Sequence, residues 1–281
     1  MIARAPKTDA QPNLLLVDNG NTRVALAVWS KGTRGQAVHL LAERIEPVID
    51  QLRQQWDRLA QLGGQAGRGP GAKPARRAVV ISSVCPPTLT QIRALCQEQS
   101  IGPLLVVGEN LGLPIQADVP EPDKVGTDRL CVAAAAYQRV KGACVVADFG
   151  TALTIDLVSD DGVFLGGTIL PGMALCAQAL HEHTALLPLV EIGRPAETLG
   201  KDTVSAIRNG VFAMMAGALR EVVERYATDI GKWPTLIVTG GDASAVASTC
   251  EFIDRVWPDL SLDGLVIAYR NATGASTEAR E

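Results

Sequence analysis

Apolar runs and short polar breaks alternate along the chain in an order that predicts strands and helices. Leu14 to Val17 is apolar and ends at Asp18-Asn19-Gly20-Asn21-Thr22, after which Val24 to Trp29 is apolar again. This pattern predicts a strand, a tight turn and a second strand, with Asn-Gly as the turn signal. Ile49, Leu52, Trp56 and Leu59 fall at the spacing of an amphipathic helix. Gly63 to Pro74 is rich in Gly, Pro and Arg and predicts a mobile surface loop. Its Gly67-Arg68-Gly69-Pro70-Gly71 run contains a proline and follows no strand, which argues against a nucleotide loop. Beyond it, Ala78 to Val84 reads as a buried strand, Leu89 to Gln99 as a helix and Leu104 to Val107 as a strand. Asp128 to Val140 reads as a helix with Leu130, Val132, Ala133 and Tyr137 on its apolar face.

The opening pattern then recurs. Cys144 to Ala147 runs apolar into Asp148-Phe149-Gly150-Thr151, followed by Leu153 to Val158, the turn Asp160-Asp161-Gly162 and Val163 to Gly167. A long helical pattern covers Val204 to about Thr228. The strand Thr235 to Val238 then leads through Thr239-Gly240-Gly241-Asp242 into a helix. Each half of the chain therefore starts strand, Asp-x-Gly, strand, and continues with alternating helices and strands. The layout predicts two α/β subdomains with a cleft between them, over 13–142 and 143–271, with frayed tails at 1–12 and 272–281. Residue identity between the halves is low.

Composition narrows the function. Of 281 residues, 47% are hydrophobic and 20% charged, the balance of a chain that buries a core. A net charge of -4 offers no basic face for nucleic acid. The apolar stretches, such as Ala133 to Ala136, fall far short of the ~18 residues that span a bilayer, so no membrane partner is expected. Met1 to Pro12 has no apolar signal core, and the expected location is the cytoplasm. Cys85, Cys96, Cys131, Cys144, Cys176 and Cys250 form no C-x-x-C pair and read as reduced, mostly buried thiols.

The chemistry sits in the polar breaks. A glycine-bearing turn such as Asp18 to Thr22 lets backbone N–H groups approach phosphate oxygens, while Asp18 suits Mg²⁺, directly or through water. An ordinary hairpin explains the same residues. Asp148-Phe149-Gly150-Thr151 is a second such turn. Two of them in two half-chains suit a polyphosphate gripped from both sides. Gly126-Thr127-Asp128-Arg129 opens a helix: Thr127 or Asp128 reads as a cap, or Arg129 binds an anionic substrate while Asp128 accepts a hydroxyl proton. Gly166-Gly167-Thr168 and Pro171-Gly172 read as two chain breaks near a ligand or a subunit contact. Gly200-Lys201-Asp202-Thr203 fits a helix cap and lacks the earlier Gly and following Ser/Thr of a Walker A loop. Thr239-Gly240-Gly241 fits either a nucleoside contact or a plain turn. His181-Glu182-His183 lies in a helical stretch where i and i+2 side chains diverge, which disfavours a metal site.

Taken in order, these motifs resemble the type III pantothenate kinases, a branch of the acetate and sugar kinase, Hsp70 and actin superfamily. The resemblance covers roughly residues 13 to 271. It rests on Asp18-x-Gly20-Asn21-Thr22, Gly126-x-Asp128-Arg129, Asp148-Phe149-Gly150-Thr151, Gly166-Gly167-x-Ile169-x-Pro171-Gly172, Thr184-Ala185-x-Leu187-Pro188, Gly200-x-x-Thr203 and Thr239-Gly240-Gly241. It implies two ribonuclease-H-like subdomains in the actin-like ATPase fold, a homodimer, and ATP-dependent phosphorylation of pantothenate, the first step toward coenzyme A.

Carried over by position, the resemblance implies an ATP phosphate loop formed by Asp18, Asn19, Gly20, Asn21, Thr22, Arg23, Val24 and Ala25. It implies Asp128 as proton acceptor, with Gly126, Thr127, Asp128 and Arg129 lining the pantothenate pocket and Thr203 touching pantothenate. Asp148 matches the ligand of a monovalent cation, K⁺ or NH₄⁺, and Thr151 a nucleotide contact, with Mg²⁺ near Asp18. Two departures stand out. The family's Tyr-x-Asn-Pro run is replaced by Val119-Pro120-Glu121-Pro122, without a tyrosine, and Asp202 stands where Asn is usual. Three other readings share the phosphate turns: a kinase for another small hydroxy acid, a phosphohydrolase of the same superfamily, and a non-catalytic regulatory relative.

Overall fold

The computed structural model describes residues 12–65 and 77–274. The first strands follow the predicted order: β1 (Asn13–Asn19), β2 (Arg23–Ser30), β3 (Thr33–Arg34) and β4 (Val38–Leu41), then helix α1 (Ile45–Gln65). Strand β5 (Arg77–Ser83), helix α2 (Pro86–Glu98), strand β6 (Leu104–Val106), the short β7 (Gln116–Ala117) and helix α3 (Thr127–Val140) follow. The second half supplies β8 (Cys144–Phe149), β9 (Ala152–Val158), β10 (Val163–Pro171), α4 (Met173–Glu182) and α5 (Thr203–Ile230). It closes with β11 (Thr235–Thr239), α6 (Ala243–Ala247), β12 (Arg255–Val256) and α7 (Leu260–Thr273).

Each half builds one sheet with the same plan. The first orders its strands β3-β2-β1-β5-β6, with β4 also on β2; the second runs β10-β9-β8-β11-β12, extended by β7 beside β10. In both, an antiparallel meander (β1–β2, β8–β9–β10) is continued on the other side by parallel strands. This repeated order is the duplicated ribonuclease-H-like architecture that the resemblance implies. The chain divides into two compact units. One holds the described residues up to Gln116, Glu121–Ala135 and the chain from Ser261 onward; the other holds Ala117–Pro120 and Ala136–Leu260.

The first sheet is covered on both faces, which is why β1 and β5 are continuous apolar runs rather than alternating ones. Leu15, Val17, Val79 and Ile81 pack with α1 and α2 residues such as Leu52, Leu59 and Ile92. Leu14, Leu16, Ala78 and Val80 pack on the opposite side with Cys131 of α3 and Leu262, Leu265 and Val266 of α7. In the second unit Val145, Ala147 and Phe149 of β8 pack with Ile207, Val211, Met215 and Leu219 of α5.

Several expectations change. Helix α1 continues through Gly63 and Gly64 to Gln65, where the sequence predicts a loop; the rest of that stretch up to Pro74, including the Gly67 to Gly71 run, lies outside the described residues. Gly166, Gly167 and Pro171 are not chain breaks but strand residues of β10. Gly166 has φ +113 and sits at a register shift after Phe164, the use of glycine that a β-bulge requires. Helix α7 runs to Thr273, so residues 272 and 273, placed in the tail, are helical. All six cysteines are free thiols, four of them buried, as expected. No helix among the described residues is long and apolar enough to cross a membrane.

Helix α7 lies against α3 at backbone distance. A Cβ on Gly264 would stand 2.1 Å from the Cys131 carbonyl oxygen, a contact only backbone movement relieves. Gly264→Ala is therefore expected to lower the thermal midpoint by several degrees, the overpacking cost of about 1–3 kcal/mol. Thermal unfolding followed by circular dichroism checks it, and an unchanged midpoint would contradict this packing.

Candidate active site

The polar end of β1 is built by strand register. Asp18 pairs in parallel with Ser82 and Asn19 with Ser83, so each side chain meets a hydroxyl on its own face of the sheet. Ser82 Oγ donates to Asp18 Oδ1 at 3.0 Å, and Asn19 Nδ2 donates to Ser83 Oγ at 2.7 Å and to the Cys85 carbonyl at 3.1 Å. The turn between β1 and β2 is closed by the Gly20 N–H, which donates to the Arg23 carbonyl at 3.0 Å. Asn21, Thr22 and Arg23 are exposed at its tip, whereas Asn19, Val24 and Ala25 are buried. The tip of this hairpin is therefore open to solvent, and the side chains of Val24 and Ala25 are turned into the core.

Gly126, Thr127, Asp128 and Arg129 form the start of α3, as expected. The Arg129 N–H donates to Asp128 Oδ1 at 2.8 Å. A Cβ on Gly126 would lie 2.5 Å from that same oxygen, so glycine leaves the space that the carboxylate occupies. Asp18 and Asp128, far apart in sequence, stand in one unit and in each other's field. Burial is the main reason that the Asp18 carboxyl is raised to about 6; the neighbouring Asp128 charge raises it further, while hydrogen bonds from Ser261 and Ser82 and the His39 side chain lower it. Burial also raises Asp128, against the opposing pull of the Arg129 N–H and guanidinium. Two partly buried carboxylates with displaced proton affinities are a common mark of a site that moves protons or holds a cation.

The second unit gathers the other motifs. Asp148 ends β8, and Gly240, at φ +94, lies so close that a Cβ there would be 2.4 Å from Asp148 Oδ1 and 2.5 Å from the Phe149 carbonyl. Gly172 donates its N–H to the Thr151 carbonyl at 3.0 Å, and a Cβ on Gly172 would meet the Gly150 carbonyl at 2.3 Å. Asp148, Gly150, Thr151, Gly172 and Gly240 thus form one cluster of strand ends, with Thr151 exposed. Thr203 is the exposed first residue of α5. Asp202, the departure beside it, is the N-cap: its carboxylate accepts from the Ser205 N–H at 2.8 Å and the Ser205 hydroxyl closes a capping box. His181 Nδ1 contacts the Leu187 carbonyl and Glu182 accepts from Gln178, so both have local partners. Among the described residues no group of three or more His, Cys, Asp or Glu side chains could cage a metal ion. Sequence reasoning missed Ser82, Ser83 and Ser261; the signals are a serine pair that ends the apolar run Ala78 to Ile81 and a single serine between Leu260 and Leu262.

Residues 14–225 match the family model for type III pantothenate kinase. A type III pantothenate kinase from Rhodospirillum rubrum is 36% identical over 258 residues, covering 92% of this chain and 98% of that protein. One from Dehalococcoides mccartyi is 35% identical over 258 residues, covering 92% and 97%. The chain belongs to the type III pantothenate kinase family. In fold, a conserved Baf family transcriptional activator from Campylobacter jejuni superposes with a TM-score of 0.55 at 19% identity, covering 92% of this chain and 99% of that one. The family's Asp-x-Gly, Gly-x-Asp-Arg and Asp-Phe-Gly-Thr motifs, quoted above from the sequence, are the strand ends and helix start just described.

A raised carboxyl works against folding at neutral pH. The native state binds a proton at Asp18 more tightly than the unfolded chain, so stability falls as pH rises from about 4 through 6. Asp18→Asn is expected to make the ligand-free protein more stable by roughly 1–3 kcal/mol above pH 7, with the gain shrinking toward pH 4. Urea unfolding at several pH values checks it; a variant less stable than the parent at pH 7.5 would contradict the burial of this charge.

Proposed function

We propose that the chain transfers the γ-phosphoryl group of ATP to the primary hydroxyl of pantothenate, with Asp128 as the base. The observation that carries this reading is the pair Asp18 and Asp128, one at a phosphate-type turn and one at a helix start, brought into one unit and within electrostatic reach of each other. Family membership supports the choice of substrates. In this reading the tip of the β1–β2 hairpin receives the phosphates through Asn21, Thr22 and the backbone of Asp18 to Ala25. Asp128 orients the hydroxyl and takes its proton, and its raised proton affinity suits that task. Gly126 and Thr127 line the substrate pocket, and Arg129, at the same helix start, recognises its anionic end. Thr203 is assigned to pantothenate and Thr151 to the nucleotide.

The residues near Asp18 suit Mg²⁺, which usually takes one or two carboxylates and completes its shell with water and phosphate oxygens. Bound there, it neutralises charge on the transferring phosphates. Asp148 Oδ1 and the Phe149 carbonyl oxygen both line the space beside Gly240, oxygen donors of the kind that suit K⁺ or NH₄⁺. We assign Asp148 that ion, and place the enzyme in the cytoplasm.

The homodimer implied by the family resemblance is supported by the surface of the second unit. Ile169 on β10 and Leu186, Leu189 and Leu199 between α4 and α5 are large apolar side chains left 61%, 92%, 63% and 71% exposed. A second copy of the chain is the proposed cover. Light scattering is expected to give twice the chain mass, and Leu186→Asp with Leu189→Asp to give a monomer; a parent protein of single-chain mass would overturn the dimer.

The reaction is tested by ADP release from Mg-ATP with and without pantothenate, in K⁺ and in Na⁺. The expected result is pantothenate-dependent, K⁺-stimulated release. Asp128→Asn should lower kcat by about 10²–10⁴ with its circular dichroism unchanged. Release that ignores pantothenate would favour a phosphohydrolase instead.

A further inference from the structure

Two buried hydroxyls meet at the Asp18 carboxylate from elements that the family motifs do not include. Ser82 is fully buried near the end of β5, directly after the apolar run Ala78 to Ile81, and donates to Asp18 Oδ1 at 3.0 Å. Ser261 is buried near the start of α7, between the fully buried Leu260 and Leu262, with its hydroxyl close enough to Asp18 to lower the proton affinity of that carboxylate. A hydroxyl in such surroundings costs stability unless it has a partner, and the Asp18 carboxylate is the acceptor that both approach. Register fixes the first contact, because Asp18 and Ser82 are direct neighbours across the parallel β1–β5 pair. Packing fixes the second: Gly264, one turn further along α7, brings that helix against the Cys131 backbone of α3, the helix that carries Asp128.

We propose that Ser82 and Ser261 are positioning residues that clamp the Asp18 carboxylate in the orientation that magnesium-bound nucleotide requires, which makes α7 part of the phosphate machinery. The inference rests on the assignment of Asp18 to Mg²⁺ under the proposed function. A carboxylate at a strand end turns about two side-chain bonds. Hydroxyls donating from a neighbouring strand and from a helix remove that freedom and leave the remaining oxygen lone pairs for a cation or its waters. Groups in this outer position typically contribute a factor of about 10–100 to metal affinity. The two serines act on one acceptor, so their effects should not be independent.

The test is calorimetric titration of ADP into the parent protein, Ser82→Ala, Ser261→Ala, the double variant, Ser82→Thr and Asp18→Asn, each with Mg²⁺ and with EDTA. In Mg²⁺ each alanine variant is expected to bind ADP about 10-fold more weakly, while binding in EDTA changes by less than about 2-fold. Ser82→Thr keeps the hydroxyl and should return to within about 3-fold of the parent, which separates positioning from any loss of packing. In activity assays the Mg²⁺ concentration for half-maximal rate should rise, with the KM for pantothenate unchanged. Alanine variants that bind Mg-ADP like the parent, while Asp18→Asn loses the Mg²⁺ effect, would overturn the clamp and leave the role of Asp18 standing. An Asp18→Asn variant that keeps the full Mg²⁺ effect would overturn both.

Discussion

The placement of two carboxylates partly out of water, within electrostatic reach of each other, is the constraint on which the rest of the first unit depends. Left alone, Asp18 and Asp128 would repel and hold protons, and burial drives both in that direction. The surrounding chain opposes this with hydroxyls on Asp18, a backbone N–H and a guanidinium on Asp128, and a glycine that clears the space beside it. A site of this kind is poised for a cation and a phosphate, because positive charge supplied from outside relieves a tension already present in the free protein.

The positioning comes from the backbone before it comes from side chains. Parallel register puts Ser82 and Ser83 opposite Asp18 and Asn19, and a one-residue slip would move every one of these groups to the wrong face. The apolar runs of β1 and β5, buried on both sides, make such a slip prohibitively costly, so the core fixes the register and the register fixes the site. In the second unit the device is different. Gly172 and Gly240 let strand ends and turns close onto Asp148 and Thr151 at distances that no side chain would permit.

Most of the architecture was legible in the sequence because its signals were local. The Asn-Gly turn, the helical spacing from Ile49 to Leu59 and the second strand–Asp-x-Gly–strand pattern each need only neighbouring residues to be read. Helix α7 was not legible. Leu260, Leu262, Leu265, Val266, Ala268 and Tyr269 are all buried, which erases the polar face that marks a helix, and Gly264 lowers its propensity. Gly166, Gly167 and Pro171 looked like breaks because their use in a bulged strand depends on partners in β9. At the site, the aspartates and glycines stood out as motifs. The serines on Asp18 did not, since a serine gains its meaning only from the carboxylate that register and helix packing bring to it.

The central claim is that Asp18 and Asp128 share one electrostatic environment. Carbon NMR titration of the aspartate carboxyls, in the ligand-free parent and in Asp128→Asn, measures it directly. Asp18 should titrate near 6 in the parent, held there mainly by burial, and at a lower pH once the Asp128 charge is gone. An Asp18 midpoint that stays where it was in the variant would contradict the claim.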